Sequence, residues 1–126
     1  MHYRIGTRGS KLALVQSEYV KRRMEEAYPE DTFELVIIKT TGDKVTDKPL
    51  AAIGTKGLFV KEIEEALLSG SIDMAVHSMK DMPAECATEL TFAKAWKRED
   101  CRDVLILKTA GSFSELPSGA VIGTGS

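Results

Sequence analysis

The sequence predicts an α/β fold, and three observations support this prediction. Segments with strand-like composition alternate with segments of helical periodicity, as they do in α/β proteins. The 126 residues are 43% hydrophobic and 29% charged, which is typical of a globular domain rather than a disordered or fibrous one. The net charge of -2 creates no overall field that would attract nucleic acid or an anionic membrane, so bound anions would need locally placed groups.

The first third of the chain predicts a strand, a helix and a second strand. Residues 3–6 are short and apolar-leaning, and a polar turn follows them. Apolar residues then recur with helical spacing, so we predict a helix over about residues 11–28, with Ser10 as its N-cap and Pro29 as its stop. Residues 33–39 are rich in β-branched side chains and predict a buried strand.

A polar stretch then separates two further elements. Residues 40–55 lack clear periodicity and are too many for a tight turn, so we predict a functional loop. Gly57 opens a second predicted helix, whose apolar stripe begins at Phe59 and which ends at Ser69 and Gly70. A short strand over residues 73–76 follows it.

The last third of the chain predicts short elements around a charged segment. Residues 90–96 and 104–107 have strand-like composition, and the charged residues 97–103 between them are a candidate crossing between domains. A short helical turn is predicted at residues 112–116, and a final strand over residues 120–123.

Two candidate anion sites lie where a helix begins. The first contains Arg8 and Ser10, where free backbone N–H groups and the helix dipole favour an anion and the guanidinium can bind a carboxylate through two hydrogen bonds. A capped helix with a surface arginine is the alternative. In the second, Lys56 stands between two glycines and can meet a ligand carboxylate, or it is simply a solvated lysine on a loop.

A third candidate site follows the strand at residues 73–76, in His77-Ser78-Met79-Lys80-Asp81. Open α/β sheets bind their ligands at the carboxyl ends of the strands. Ser78 and Lys80 can hold anionic groups there, while Asp81 can exchange a proton or stabilise a cation. A polar loop with a weak local ion pair is equally compatible with the pattern.

The sequence predicts no metal site and no disulfide scaffold. His77 has no second histidine or cysteine at a ligand spacing, so we expect a packed or hydrogen-bonded side chain. Cys86 and Cys101 are expected to be ordinary thiols. The amino terminus does not resemble a signal peptide, and the expected compartment is the reducing cytoplasm.

Several blocks, taken together and in this order, resemble the porphobilinogen deaminase (hydroxymethylbilane synthase) family. The resemblance extends over essentially the whole chain, and the His-Ser-Met-Lys-Asp block is its most specific part. The blocks are Ile5-Gly6-Thr7-Arg8-Gly9-Ser10-Lys11-Leu12-Ala13-Leu14-Val15-Gln16, Gly57-Leu58-Phe59-Val60-Lys61-Glu62, Ala75-Val76-His77-Ser78-Met79-Lys80-Asp81-Met82-Pro83, Arg98-Glu99-Asp100-Cys101-Arg102-Asp103 and Ile122-Gly123-Thr124-Gly125-Ser126.

The resemblance implies a transferase of tetrapyrrole and heme biosynthesis. Members of the family join four porphobilinogen molecules head to tail into hydroxymethylbilane and release ammonia at each step. Asp81 matches the family's catalytic aspartate, which stabilises a cationic intermediate and handles pyrrole N–H protons. The implied substrate- or cofactor-binding residues are Arg8, Ser10, Lys56, Ser78, Lys80, Thr124 and Ser126.

The resemblance also implies a cofactor and a domain organisation. In the family a dipyrromethane cofactor is bound by a thioether to a cysteine of a third domain, and neither cysteine here matches that position. Two similar domains, like those of periplasmic binding proteins, each have a mixed sheet flanked by helices and enclose the active site. Residues 1–98 would then form most of the first domain, and residues 99–126 the crossover and the incomplete start of the second. The complete enzyme is expected to be a monomer that binds neither nucleic acid nor membrane.

Three departures limit what the resemblance implies. Ala52 stands where the family commonly has lysine, and Cys101 replaces a proline at the proposed crossing. The chain also ends at Ser126, before the paired arginines of the family. We therefore expect a fragment that does not turn over porphobilinogen alone. A non-enzymatic module that binds small anions remains the alternative function.

Overall fold

A computed structural model describes residues 1–44, 59–84, 86–108 and 111–124, with the backbone alone at residue 44. The chain separates into two units, Met1–Phe92 and Ala93–Ser126. The first unit contains the sheet and the helices, and the second consists largely of irregular chain. The elements below are therefore described unit by unit.

Three parallel strands form the sheet of the first unit. They are β1 (His2–Thr7), β2 (Thr32–Ile37) and β3 (Met74–Ala75), in the order β2-β1-β3. Every described pairing is parallel, so the α/β prediction is confirmed, whereas the described strands do not include the antiparallel member that a mixed sheet requires. The strands are parallel because each connection contains a helix. The helix carries the chain back to the end of the sheet where the previous strand began, so the next strand runs in the same direction.

Two longer helices connect these strands. Helix α1 (Lys11–Ala27) begins at the predicted cap, where Ser10 Oγ accepts a hydrogen bond of 3.3 Å from the Ala13 N–H. A single helical turn, α2 (Thr41–Lys44), begins the stretch that was predicted to be a loop, and the rest of that loop lies outside the described residues. Helix α3 (Lys61–Leu68) begins later than predicted and leaves Phe59 in a preceding turn. None of the described helices is long and apolar enough to span a membrane.

The apolar core of the first unit lies between helix α3 and the sheet. Ile5 of β1, Ile63 of α3 and Ile72 before β3 are at most 2% exposed. Helix α1 instead places the small Ser17 against the sheet, where its hydroxyl donates to Thr7 Oγ1 at 2.6 Å. Three apolar side chains of its predicted stripe remain largely exposed. These are Leu12, Val15 and Tyr19.

The strands predicted at residues 90–96, 104–107 and 120–123 are wrong, because the structure describes all three segments as irregular chain. Strand-like composition stabilises a strand only when a neighbour pairs with its backbone and covers its side chains. Val104 and Ile106 are 84% and 90% exposed, and Val121 is 97% exposed. The predicted helical turn is confirmed as the 3₁₀ turn Phe113–Glu115.

Candidate functional site

A cavity lies at the carboxyl edge of the sheet. Strands β1 and β3 are parallel neighbours, so the loops that follow Thr7 and Ala75 leave the sheet at the same edge. These loops and the first turns of helix α1 border a half-open cavity of about 230 Å³. Its polar lining residues are Arg8, Ser10, Gln16, His77, Ser78, Lys80 and Asp81.

Arg8 is the most constrained cation of the cavity. Its Nη2 donates to Asp43 Oδ1 at 2.6 Å, and its Nε donates to the same oxygen at 3.2 Å. The guanidinium carbon lies 3.9 Å from the centre of the Phe59 ring, a cation–π contact. Since the side chain is only 18% exposed, the orientation of the guanidinium is set by protein contacts rather than by water.

Asp43 completes this arrangement from the beginning of helix α2. Its second oxygen, Oδ2, accepts hydrogen bonds from the Thr40 hydroxyl at 2.7 Å and from the Thr40 backbone N–H at 3.3 Å. Burial by itself would raise the pKa of Asp43. The hydrogen bonds from Arg8 and Thr40, together with the charge of Arg8, outweigh burial and hold this pKa below its ordinary value. Asp43 therefore remains ionised at neutral pH.

Asp81 and Lys80 lie on the 3₁₀ turn Met79–Asp81, which follows β3. Asp81 Oδ2 is 3.9 Å from Arg8 Nη1, and the Asp81 side chain is 27% exposed. This distance allows a charge interaction but is too long for a hydrogen bond. The Asp81 carboxylate is thus close to the cation and open to a ligand, while Lys80 is exposed beside it.

The remaining sequence-predicted residues have different positions. The Ser78 hydroxyl donates to Gln16 Oε1 at 2.8 Å and so connects the loop after β3 with helix α1. Ser10 Oγ lines the cavity and caps the same helix. Lys56 and Ser126 lie outside the described residues, and Thr124 belongs to the second unit. Their roles therefore stay predictions.

His77 is a cavity residue with a buried ring nitrogen. Its Nε2 makes no hydrogen bond with any residue that the structure describes. Burial lowers the pKa of His77; the nearby Asp81 carboxylate raises it and Arg8 lowers it, and the net shift is downward. The imidazole is therefore neutral at physiological pH. Within the described ranges, no three side chains of the metal-binding types are grouped around it or elsewhere.

Sequence reasoning missed Asp43, Thr40 and Phe59 as parts of this site. Residues 40–55 were predicted only as a functional loop, with no binding role assigned to Thr40 or Asp43. One signal was available, because Thr40 to Asp43 follow a predicted parallel strand, and such strands end at the ligand-binding edge of a sheet. No sequence signal indicated that Phe59 would lie before helix α3 instead of within it, or that its ring would stack on Arg8.

The comparison with protein families identifies the chain. Residues 3–126 match the family model described as "Porphobilinogen deaminase, dipyromethane cofactor binding domain". The chain belongs to the porphobilinogen deaminase family. The resemblance stated from the sequence blocks is confirmed.

Individual members of the porphobilinogen deaminase family are also similar to the chain. The porphobilinogen deaminase of Lachnospira eligens is 98% identical over 126 residues, which are 100% of this chain and 43% of that relative. The Clostridioides difficile porphobilinogen deaminase is 58% identical over 127 aligned positions, covering 100% of this chain and 42% of its own length. The Syntrophus aciditrophicus enzyme of the same name is 58% identical over 123 residues, or 98% and 40%. The chain therefore spans about two fifths of the length of these relatives.

Gly42 determines whether Phe59 can stack on Arg8. A Cβ atom at position 42 would overlap the Phe59 ring, at 2.5 Å from its Cδ1 and closer still to Cε1. Inside a helix, alanine stabilises the folded state by about 1 kcal/mol relative to glycine, whereas a clash in an overpacked site destabilises it by about 1–3 kcal/mol. We expect Gly42→Ala to destabilise the protein by up to about 2 kcal/mol, measured as the free energy of unfolding in urea.

Gly9→Ala is the matched control for this prediction. A Cβ atom at Gly9 would lie 3.4 Å from Ile37 Cγ2, an ordinary van der Waals distance. We expect its unfolding free energy to remain within about 0.5 kcal/mol of the parent. Equal effects of the two substitutions would contradict the packing of Phe59 against Gly42.

The partly buried His77 predicts a dependence of stability on pH. In the unfolded chain this histidine binds a proton near its ordinary pKa of 6.5, whereas burial lowers the pKa in the folded state. The stabilisation is therefore fully present above the unfolded pKa and is lost as the pH falls through the folded pKa. We expect the melting temperature to fall as the pH is lowered from about 7.5 to 5.5, and His77→Gln to reduce this fall. His2→Gln, at an exposed histidine, is the control; an unchanged fall in His77→Gln would contradict the prediction.

Proposed function

We propose that these residues are part of a hydroxymethylbilane synthase, a cytoplasmic transferase of tetrapyrrole and heme biosynthesis. The complete enzyme would join four porphobilinogen molecules into hydroxymethylbilane and release one ammonia with each. The observation that carries the proposal is the position of Asp81, whose carboxylate is 3.9 Å from Arg8 at the cavity of a porphobilinogen deaminase family member.

The cations and hydroxyls of the cavity are suited to the acid arms of the substrate. Porphobilinogen carries an acetate and a propionate. Arg8 lines the cavity with its Nη1 on the side of Asp81, while its other edge holds Asp43. Lys80 adds an exposed ammonium, and Ser10 places the amino end of helix α1 at the same cavity. We assign further binding roles by family resemblance alone. These residues are Lys56, Ser78, Thr124 and Ser126.

Asp81 would perform the charge and proton chemistry. Loss of ammonia from porphobilinogen leaves an azafulvenium cation, which a carboxylate stabilises electrostatically. Asp81 is partly exposed at the cavity and makes no contact short enough to fix its oxygens to Arg8. Its oxygens are thus accessible to the cation, to the pyrrole N–H groups, and to the proton that the attacking pyrrole's α-carbon loses after the next carbon–carbon bond forms.

The chemistry of the described residues fits a dipyrromethane cofactor, whose pyrroles carry the same acid arms as the substrate. Arg8 and Lys80 would hold its carboxylates, and the buried Nε2 of His77 is an additional polar partner in the cavity. When bound, the cofactor supplies the pyrrole to which the first substrate is joined. Burial, and then the charge and hydrogen bond of Glu64, raise the pKa of Cys86, which disfavours a thiolate; this supports an attachment cysteine elsewhere in the complete protein.

The domain organisation belongs to the same proposal. Residues 1–98 would form most of a domain like those of periplasmic binding proteins, with a mixed sheet completed by further chain. Residues 99–126 would contain the crossover and the beginning of the second domain. The three parallel strands and their helices support the first of these assignments.

The test uses a complete-length protein. The Lachnospira eligens relative is 98% identical to this chain, so changing the few differing positions places these 126 residues in a complete sequence. We expect this protein to convert porphobilinogen to hydroxymethylbilane with release of ammonia, and its intact mass to exceed the polypeptide mass by one dipyrromethane. A mass without the cofactor, combined with reversible binding of small carboxylates and no turnover, would favour the anion-binding module instead.

A further inference from the structure

The two edges of the Arg8 guanidinium face different carboxylates. The edge formed by Nε and Nη2 donates to Asp43 Oδ1 at 3.2 and 2.6 Å. On the other side, Nη1 is 3.9 Å from Asp81 Oδ2, and both residues line the cavity. Because a guanidinium is planar and rigid, holding one edge determines where the other edge points.

Asp43 is itself held by a second residue, Thr40. Its Oδ2 accepts from the hydroxyl of Thr40, a residue with 0% exposure, at 2.7 Å. Its Oδ1 is the oxygen that receives both short Arg8 hydrogen bonds. Oδ2 is thus held by Thr40, three residues after strand β2, and also receives a longer hydrogen bond of 3.4 Å from Arg8 Nε, while Oδ1 makes the shorter bonds that hold the arginine.

Phe59 limits the remaining freedom of Arg8. The ring lies 3.9 Å from the guanidinium carbon and therefore opposes movement out of the guanidinium plane. Hydrogen bonds from one edge and an aromatic ring on one face together restrict both rotation and tilt. The side chain of Asp43 is 25% exposed, so water competes weakly for these bonds.

We infer that Asp43 is a positioning residue that sets the direction in which Arg8 presents Nη1 to a bound carboxylate. The inference rests on the proposed function, in which Arg8 binds an acid arm of the substrate. Misplacing a binding group by about 1 Å costs as much as about 100-fold in rate. A residue that only screened the charge of Arg8 would have the opposite effect, because its removal would strengthen the attraction for an anion.

Two substitutions in the complete-length protein separate position from charge. Asp43→Asn keeps the shape but removes the charge and one acceptor, and Asp43→Glu keeps the charge but lengthens the side chain. We expect both to lower kcat/KM for porphobilinogen by about 10–100-fold, mainly through a higher KM. If Asp43→Asn lowered KM, or if Asp43→Glu behaved as the parent protein, the inference would be overturned.

A double-mutant cycle with Arg8→Gln tests whether Asp43 acts through Arg8. In the Arg8→Gln background we expect Asp43→Asn to change kcat/KM by less than about twofold, because the group that it positions is gone. If the two substitutions lowered kcat/KM independently, so that their fold losses multiplied in the double variant, the inference would be overturned. If Arg8→Gln by itself left kcat/KM unchanged, the proposed role of Arg8 would fail as well, so the two failures are distinguishable.

Asp73→Asn is the matched control. Asp73 accepts hydrogen bonds from Nε and Nη2 of Arg4, a residue within strand β1, both at 3.0 Å, and neither residue lines the cavity. We expect Asp73→Asn to leave KM unchanged.

If the Asp43 variants do not fold, Thr40→Val and Thr40→Ser replace them, since only serine keeps the hydroxyl that holds Asp43. A higher KM for valine than for serine supports the inference, and equal KM values overturn it.

Discussion

Replacing Asp81 by alanine in the complete-length protein is expected to lower the turnover of porphobilinogen by about 1,000-fold. The substitution removes the only carboxylate that the structure describes on the 3₁₀ turn Met79–Asp81, and that turn lines the cavity. A positioned acid–base group contributes about 10²–10⁴-fold, and electrostatic stabilisation of a developing charge is of similar size. Asp81→Asn should be nearly as inactive, because an amide has the shape of the carboxylate without its charge.

The same substitution is expected to change the melting temperature little. Asp81 is 27% exposed, and its 3.9 Å separation from Arg8 Nη1 is too long for a hydrogen bond. Surface changes of this kind remain within about 0.5 kcal/mol. Asp73→Ala, which breaks the ion pair with Arg4 outside the cavity, should show the reverse pattern of normal turnover and lower stability. Equal losses of turnover and stability in Asp81→Ala would assign Asp81 a structural role.

Replacing Arg8 by lysine is expected to raise the KM for porphobilinogen by about 10–100-fold, with a smaller change in kcat. Lysine keeps the positive charge, but its single ammonium cannot hold Asp43 on one side and present a second edge to a ligand on the other. It also loses the planar contact that the guanidinium makes with the Phe59 ring. Steady-state kinetics on the complete-length protein measure both constants.

Arg4→Lys provides the matched control for the Arg8 substitution. Arg4 lies on strand β1, four residues before Arg8, and also pairs with an aspartate, Asp73, but it does not line the cavity. Its replacement should leave KM unchanged. If Arg8→Lys had parental KM and kcat, charge alone would explain the role of Arg8, and the bidentate geometry would carry no function.

The first unit shows how much of the fold local sequence can predict. Strand β1, helix α1 and strand β2 lie within a few residues of their predicted bounds, because each has a period, a cap or a β-branched run of its own. The strands predicted after residue 90 are wrong, and they show what local sequence cannot predict. Their composition was suitable, but a strand also needs a paired neighbour, and composition does not supply one.

The candidate site also has residues that were predicted from the sequence and residues that were missed. Arg8, Lys80 and Asp81 were predicted because charged side chains directly follow predicted strands, and parallel strands bring their carboxyl ends together. The structure places Arg8 and Asp81 at one cavity, 3.9 Å apart. Asp43 was not predicted as a site residue, because its contact with Arg8 joins residues 35 positions apart and depends on how the chain turns after β2.

The sequence by itself determined the family, the α/β class and which residues are candidates for the chemistry, since these depend on residue types and short spacings. Only the tertiary structure decided that Asp43 and Phe59 hold Arg8 and that the nitrogen of His77 is buried beside Asp81. The physical reason is that orientation and desolvation arise from contacts between distant segments, and these contacts exist only after the chain has packed.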